Sequence, residues 1–141
     1  TIFKNITFFE NDALIIHADN YIEDDLKDFL KFHEQTKKKR LYATIFAFKS
    51  KNFRKEGILE IDKKRIFKNL YEKKKINHGT LANGAIYILT QKGLKFFEKK
   101  FDNKKDFTKN YLPIFINKSA VYLTKSHFDD IGSEEVYQKY I

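Results

Sequence analysis

Cysteine and tryptophan are absent from this sequence, proline occurs once and glycine five times in 141 residues. Without cysteine there is no disulfide framework and no thiolate zinc site. The glycines, at positions 57, 79, 84, 93 and 132, never cluster, so these residues hold no Walker or dinucleotide-type phosphate loop. Long apolar runs are missing too. Ala13 to Ile16 and Leu41 to Phe48 fall far short of the roughly 20 residues with which a helix crosses a bilayer. No opening stretch orders basic, apolar and small residues as a signal peptide does. A soluble, cytoplasmic protein with no membrane partner is the expectation. Arginine is the last scarcity: only Arg40, Arg54 and Arg65 stand among 28 basic residues, whereas readers of bases and phosphates favour the forked guanidinium. The net charge of +9 is thus a lysine charge, and lysine with abundant Asn, Ile and Phe is what an A/T-rich genome produces. A nucleic-acid partner is not expected from charge alone.

What is present is enough apolar mass for a core. Hydrophobic residues make up 42% of the chain, with 15 Phe and 8 Tyr, and residues 1–141 fit one domain. Thr1 to Glu10 reads as the end of a helix that began earlier. Ala13 to Ala18 is a short apolar run turning polar at Asp19-Asn20, the pattern of a buried parallel strand. Glu23 to His33 follows as an amphipathic helix with acidic residues over its first turn, closed by the cations Lys37 to Arg40. Leu41 to Phe48 is a second buried strand, which completes a βαβ unit and predicts a parallel α/β sheet. Gly57 to Asp62 and Arg65 to Tyr71 are spaced as a hairpin, although Lys63-Lys64 is poor turn chemistry. Further strands are expected at Gly84 to Leu89 and Ala120 to Thr124. Helices are expected at Leu94 to Lys100, at Phe107 to Phe115 until Pro113, and at Glu134 to Tyr140 with Ser133 as its cap.

Few residues offer chemistry. Asp19 stands directly after a buried strand, where ligands collect in open α/β sheets; a turn-forming Asp-Asn pair is the other reading. Phe128-Asp-Asp-Ile-Gly-Ser133 supplies a second acidic loop. Two such carboxylates can share a hard divalent ion with phosphate oxygens, or can simply shape turns. The histidines at 17, 33, 78 and 127 show no metal-ligand spacing and read as structural. No G-x-S-x-G elbow is present, so nucleophilic acyl chemistry has no support.

Six segments then recur in a familiar order: Leu14-Ile-Ile-His-Ala-Asp-Asn20, Gly57-Ile-Leu-Glu-Ile-Asp62, Tyr71-Glu-Lys73, Leu81-Ala-Asn-Gly-Ala-Ile-Tyr-Ile-Leu89, Asp106-Phe-Thr108 and Phe128-Asp-Asp-Ile-Gly-Ser133. Together they resemble the sugar-1-phosphate nucleotidyltransferases, most closely the bacterial branch that makes GDP- or dTDP-activated hexoses and heptoses. The likeness runs from about residue 5 to the end and rests on order and spacing rather than on one motif. It implies an α/β fold with a Rossmann-like, mostly parallel mixed sheet and flanking helices. It also implies a reaction, in which a sugar 1-phosphate attacks the α-phosphate of an NTP, GTP or dTTP, and releases pyrophosphate for surface-polysaccharide precursors. Mg2+ is the implied cofactor, with Asp19 and Asp130 matching the two metal carboxylates. Glu72 and Lys73 match the pair that grips sugar hydroxyls and the sugar's phosphate, an ordinary charged pair on a hairpin edge being the alternative. Asn83 and Gly84 match the strand start lining the sugar pocket, and Gly57 lets backbone approach the ligand.

The departures are specific. The family's opening G-x-G-T-R loop, which carries the nucleotide phosphates, has no counterpart here, so an N-terminally truncated domain, inactive by itself, is expected. The usual Pro after Glu-Lys is Lys74, the second Gly of Asn-Gly-Gly is Ala85, and the usual Gly-Asp is Ala18-Asp19; the last two changes occur in the guanylyltransferase-like branch. Homo-oligomerisation stays open. The competing classes are a non-catalytic basic module for an acidic partner such as RNA, and a degenerate relative that binds sugar phosphate without chemistry.

Overall fold

The computed structural model of the chain describes residues 3–23, 26–72, 75–102 and 106–141. In chain order the strands and helices are β1 (Ala13–Ile16), β2 (Asn20–Ile22), α1 (Lys27–Lys37), β3 (Ala43–Lys49), β4 (Gly57–Ile61), β5 (Phe67–Glu72), β6 (Leu81–Leu89), α2 (Gln91–Lys100), β7 (Ser119–Leu123), β8 (Phe128–Asp130) and α3 (Glu134–Tyr137). Short helical turns occupy Phe3–Phe8, Phe107–Tyr111 and Leu112–Phe115. No helix among the described residues is long and apolar enough to cross a membrane.

Six strands form one sheet in the order β5-β4-β6-β3-β7, with β1 added beside β6. The α/β class, the mixed sheet and the flanking helices stand as expected. The mostly parallel character does not. Among the described pairs only β3 and β7 run parallel; β1, β3 and β4 each pair antiparallel with β6, and β4 with β5. The reason is the position of β6. It runs between β1 and β3, so the two strands of the β1-α1-β3 unit are parallel to each other but separated by an opposed strand. β1 differs from the buried strand predicted for it, since Leu14 and Ile16 are exposed.

Two-sided burial explains the rest of the sheet. Ala43 to Ala47 are all buried, because Ile45 and Ala47 face a cluster with Tyr87, Leu112 and Val121 while Phe46 faces Phe29 and Phe128 under α1. A third cluster joins Leu94 and Phe97 of α2 to Tyr111 and Phe115. The sheet curls until the start of β5 meets β7, where Ile66 pairs with Ala120 and Val121 N–H donates to Arg65 O at 2.9 Å. The unpromising hairpin turn is rescued by Asp62, whose Oδ1 accepts from both Lys64 N and Ile66 N at 2.9 Å, with Arg65 at φ 61° closing it. Pro113 opens a 3-10 turn instead of stopping a helix. Ser133 makes no side-chain cap bond, and the last helix is one turn, Glu134–Tyr137.

The helix predicted from Glu23 begins instead at Lys27, after Leu26 at φ 62°. Its inner face carries a buried polar cluster. His33 Nε2 donates to Asp12 Oδ2 at 3.0 Å, and His33 Nδ1 lies 2.7 Å from Thr44 Oγ1. Lys37 Nζ lies 2.9 Å from the same Asp12 oxygen, and Gln91 N–H donates to Asp12 Oδ1. One carboxylate therefore ties the start of β1 to α1 and α2, and His33 carries the link on to Thr44 of β3, a structural use for His33 of the kind the sequence suggests. Burial works to raise the Asp12 carboxyl, but the bonds from His33, Lys37 and Gln91 outweigh it and hold it below the ordinary 3.8. A depressed folded value means the contribution is complete above the unfolded value and is lost as pH falls through the folded one. Asp12→Asn is expected to lower stability by about 1–3 kcal/mol at pH 7. Urea midpoints of the two proteins should converge as pH drops below about 4, and an unchanged gap would refute this role.

Candidate functional site

Asp19 and Asp130 stand far apart in sequence, and a ribbon of two short strands brings them together. After β1 the chain turns at Ala18-Asp19, and Asn20 begins β2, which pairs antiparallel with β8 in the register Asn20 to Asp130, Tyr21 to Asp129 and Ile22 to Phe128. Ile131 N–H then donates to Asp19 O at 2.8 Å. The acidic Phe128–Asp130 segment is thus a strand and not the loop expected of it. Both carboxylates converge on Gly132: a β-carbon there would lie 2.9 Å from Asp19 Oδ2 and 3.0 Å from Asp130 Oδ1. Asp130 Oδ1 accepts from Gly132 N–H at 2.9 Å. The Asp19 side chain is 50% exposed, with His17 Nδ1 at 3.9 Å from Oδ1.

The ribbon is docked on an irregularity of β6. Opposite β3 the register runs from Ile45–Tyr87 to Ala47–Asn83, so β6 carries extra residues around Gly84 and Ala85. Ala85 adopts φ 52°, the conformation a glycine would supply most cheaply. The bulge exposes Gly84 O, which accepts from Asn20 Nδ2 at 2.9 Å. Gly84 has no room for a side chain, since a β-carbon would stand 2.8 Å from Phe46 Cδ1 and 3.2 Å from Phe46 O.

A second group of candidates lies along β4, β5 and β6. Gly57 is paired with Glu72, and a β-carbon on Gly57 would come within 2.6 Å of Glu72 Oε1, so the missing side chain is the space the carboxylate uses. Asn83 is held at both ends of its amide: Nδ2 donates to Tyr87 OH at 2.8 Å, and Oδ1 accepts from Ala85 N–H at 3.2 Å. Tyr87 OH lies 3.3 Å from Thr108 Oγ1. Burial pushes the Tyr87 phenol up, the charges of Glu72 and Asp106 add to this, and the bonds to Thr108 and Asn83 oppose it. Lys73 lies outside the described residues. Tyr87 and Thr108 were not singled out in the sequence as site residues, although both fall within segments that carry the family likeness.

The two carboxylates over Gly132 suit a hard cation. They offer oxygen only, they are open to solvent, and no group of three or more His, Cys, Asp or Glu among the described residues would complete a protein cage. A magnesium ion, which keeps water and phosphate oxygens in its shell, fits a set of two carboxylates.

Comparison with known proteins adds to this geometry. A family model described as nucleotidyl transferase matches residues 1–140. No curated protein matches the chain. Among solved structures, HddC from Yersinia pseudotuberculosis is 27% identical, with a TM-score of 0.73 over 98% of this chain and 58% of its own. HddC complexed with GMP-PN gives 0.74 at the same identity and coverage. A Bacillus anthracis protein provisionally named a glucose-1-phosphate thymidylyltransferase, in complex with a sucrose, gives 0.75 at 16% identity, over 98% of this chain and 56% of its own. The chain therefore spans a little over half the length of the structures it matches.

The contact at Gly84 yields a direct test. Gly84→Ala should cost about 1–3 kcal/mol in chemical denaturation, because the methyl group meets the Phe46 ring and its carbonyl. An unchanged unfolding midpoint would show that Phe46 moves aside freely.

Proposed function

Because this chain belongs to the nucleotidyl transferase family, we propose that it carries the metal carboxylates and sugar-phosphate side of an enzyme that transfers a nucleotidyl group from an NTP to a sugar 1-phosphate. The observation that carries this reading is the convergence of Asp19 and Asp130 over Gly132, one residue from the Asn20 bond to the Asn83-Gly84 strand. Residues 1–141 are read as part of one such domain. GTP is the preferred nucleotide, supported by the GMP-PN complex of the Yersinia protein, and dTTP is the second choice, supported by the thymidylyl name of the Bacillus protein. The product would feed surface-polysaccharide synthesis.

In the reaction an oxygen of the sugar phosphate forms a bond to the α-phosphorus, the bond to the β-phosphate breaks, and pyrophosphate leaves with the electron pair. Negative charge grows on phosphate oxygens, and no side-chain nucleophile is needed. Asp19 and Asp130 would hold the Mg2+ ion, which supplies positive charge at those oxygens. Glu72, whose carboxylate occupies the space beside Gly57, would accept hydrogen bonds from sugar hydroxyls. The Asn83 amide, fixed by Tyr87 and the Ala85 N–H, presents its remaining donor and lone pair to the same sugar. Lys73 is assigned to the sugar's phosphate. Binding energy from these groups orients the attacking oxygen, which lowers the entropic part of the barrier.

Two measurements test the reading. The 141-residue chain, which contains no G-x-G-T-R segment, is expected to release no pyrophosphate from GTP or dTTP with hexose or heptose 1-phosphates, and robust turnover would refute this. In a protein that joins the chain to such a segment, Asp19→Asn or Asp130→Asn should cut kcat by about 100-fold or more with the fold retained. Wild-type rates in those variants would remove the metal assignment.

A further inference from the structure

The β2–β8 ribbon holds both candidate carboxylates, yet it is three residue pairs long and lies outside the six-stranded sheet. Two strands that short are not stable in water by their ladder bonds alone. Side chains must hold them, and alternation along each strand divides those side chains between two faces. Asn20, Ile22, Phe128 and Asp130 share the inner face, where Phe128 and Ile22 join the core cluster under α1. Tyr21 and Asp129, directly opposite each other, occupy the outer face.

Tyr140 covers that outer face. Its ring centroid lies 4.2 Å from that of Tyr21, with the planes 39° apart. Its hydroxyl donates to Asp129 Oδ2 at 2.5 Å and lies 2.7 Å from His127 Nε2, which is itself 3.3 Å from the same carboxylate oxygen. One side chain thus grips β2 by stacking and β8 by a charge-assisted hydrogen bond. The bond to Asp129 also pushes the Tyr140 phenol up to about 12. Tyr140 belongs to none of the six segments that carry the family likeness.

We propose that Tyr140 is a positioning residue, clamping the β2–β8 ribbon from the face opposite the carboxylates and thereby fixing Asp19 against Asp130. The inference rests on the proposed role of those two residues as metal carboxylates. Its physical content is that the ribbon has two anchors, the Phe128 side chain and the Asn20–Gly84 bond inside, Tyr140 outside. With only the inner anchor, the strands can splay and the carboxylates lose their common target at Gly132.

Amide hydrogen exchange by NMR on the 141-residue chain tests it, together with Mn2+ titration followed by paramagnetic broadening of the Gly132 amide. Ile131 N–H and Glu23 N–H, bonded to Asp19 O and His127 O, bracket the ribbon. In Tyr140→Ala both should exchange about tenfold faster or more, with β6 amides at wild-type rates. Mn2+ affinity should fall by about tenfold, and Tyr140→Phe, which keeps the stacking, should lie between. Unchanged exchange at both amides in both variants overturns the clamp. If Tyr140→Ala also loses protection in β6, Tyr140→Phe decides: faster Ile131 and Glu23 exchange with β6 intact supports the clamp, and wild-type exchange overturns it. Broadening of Gly132 that is absent in the wild type, or equal in Asp130→Asn, removes the metal assignment instead, while the exchange rates still decide whether Tyr140 holds the ribbon.

Discussion

The contact between β6 and its neighbours at Gly84 is the constraint on which the rest of this molecule depends. β6 is the only described strand that pairs with three others, β1, β3 and β4, so its course dictates where each of them ends. A regular strand would keep its carbonyls within the ladder. The bulge at Gly84 and Ala85 turns one carbonyl out to Asn20 and lets the Phe46 ring close against the glycine, with Phe128 beyond it. Through Asn20 the bulge places Asp19, and through Phe128 it places Asp130. The meeting of Asp19 and Asp130 is therefore a consequence of one break in an otherwise apolar, well-paired strand.

Charge is used sparingly around this arrangement. A chain with a net +9 shows no described lysine or arginine ion pair to Asp19 or Asp130, and the Asp12 carboxylate, which is paired with Lys37, lies elsewhere as part of the framework. Two acidic groups side by side repel, and folding them together carries a cost that a bound cation would offset. The same logic separates the two acidic residues at the end of β8. Strand alternation sends Asp129 to the outer face, where Tyr140 and His127 meet it, and leaves Asp130 to the inner one.

Much of the fold was legible because short apolar segments bounded by polar turns have few alternatives. β3, β4, β5, β7 and α2 lie where hydrophobic patterning put them, since each buries enough area to override weak local preferences. β2 and β8 escaped notice for the opposite reason. Asn-Tyr-Ile and Phe-Asp-Asp are three residues each, with acids and an amide where strand formers would be expected, and only their mutual pairing makes them strands. The parallel sheet inferred from the β1-α1-β3 order failed because chain order does not reveal an antiparallel strand inserted between two parallel ones. The short final helix has a similar cause: the residues after Tyr137 fold back toward Tyr21 and Asp129 instead of extending the helix.

Motif order, read as a resemblance, pointed to the family and to the candidates Asp19, Gly57, Glu72, Lys73, Asn83, Gly84 and Asp130, and the scattered glycines excluded a phosphate loop within these residues. Which of them meet is a different kind of fact. That Asp19 and Asp130 share the space above Gly132, that Gly57 is small so that Glu72 has room, and that Asn83 is oriented by Tyr87 all arise from pairings between distant segments. Those pairings are set by the register of strands around β6, and register is a property of the packed sheet as a whole, in which a shift of one residue would turn every side chain to the other face.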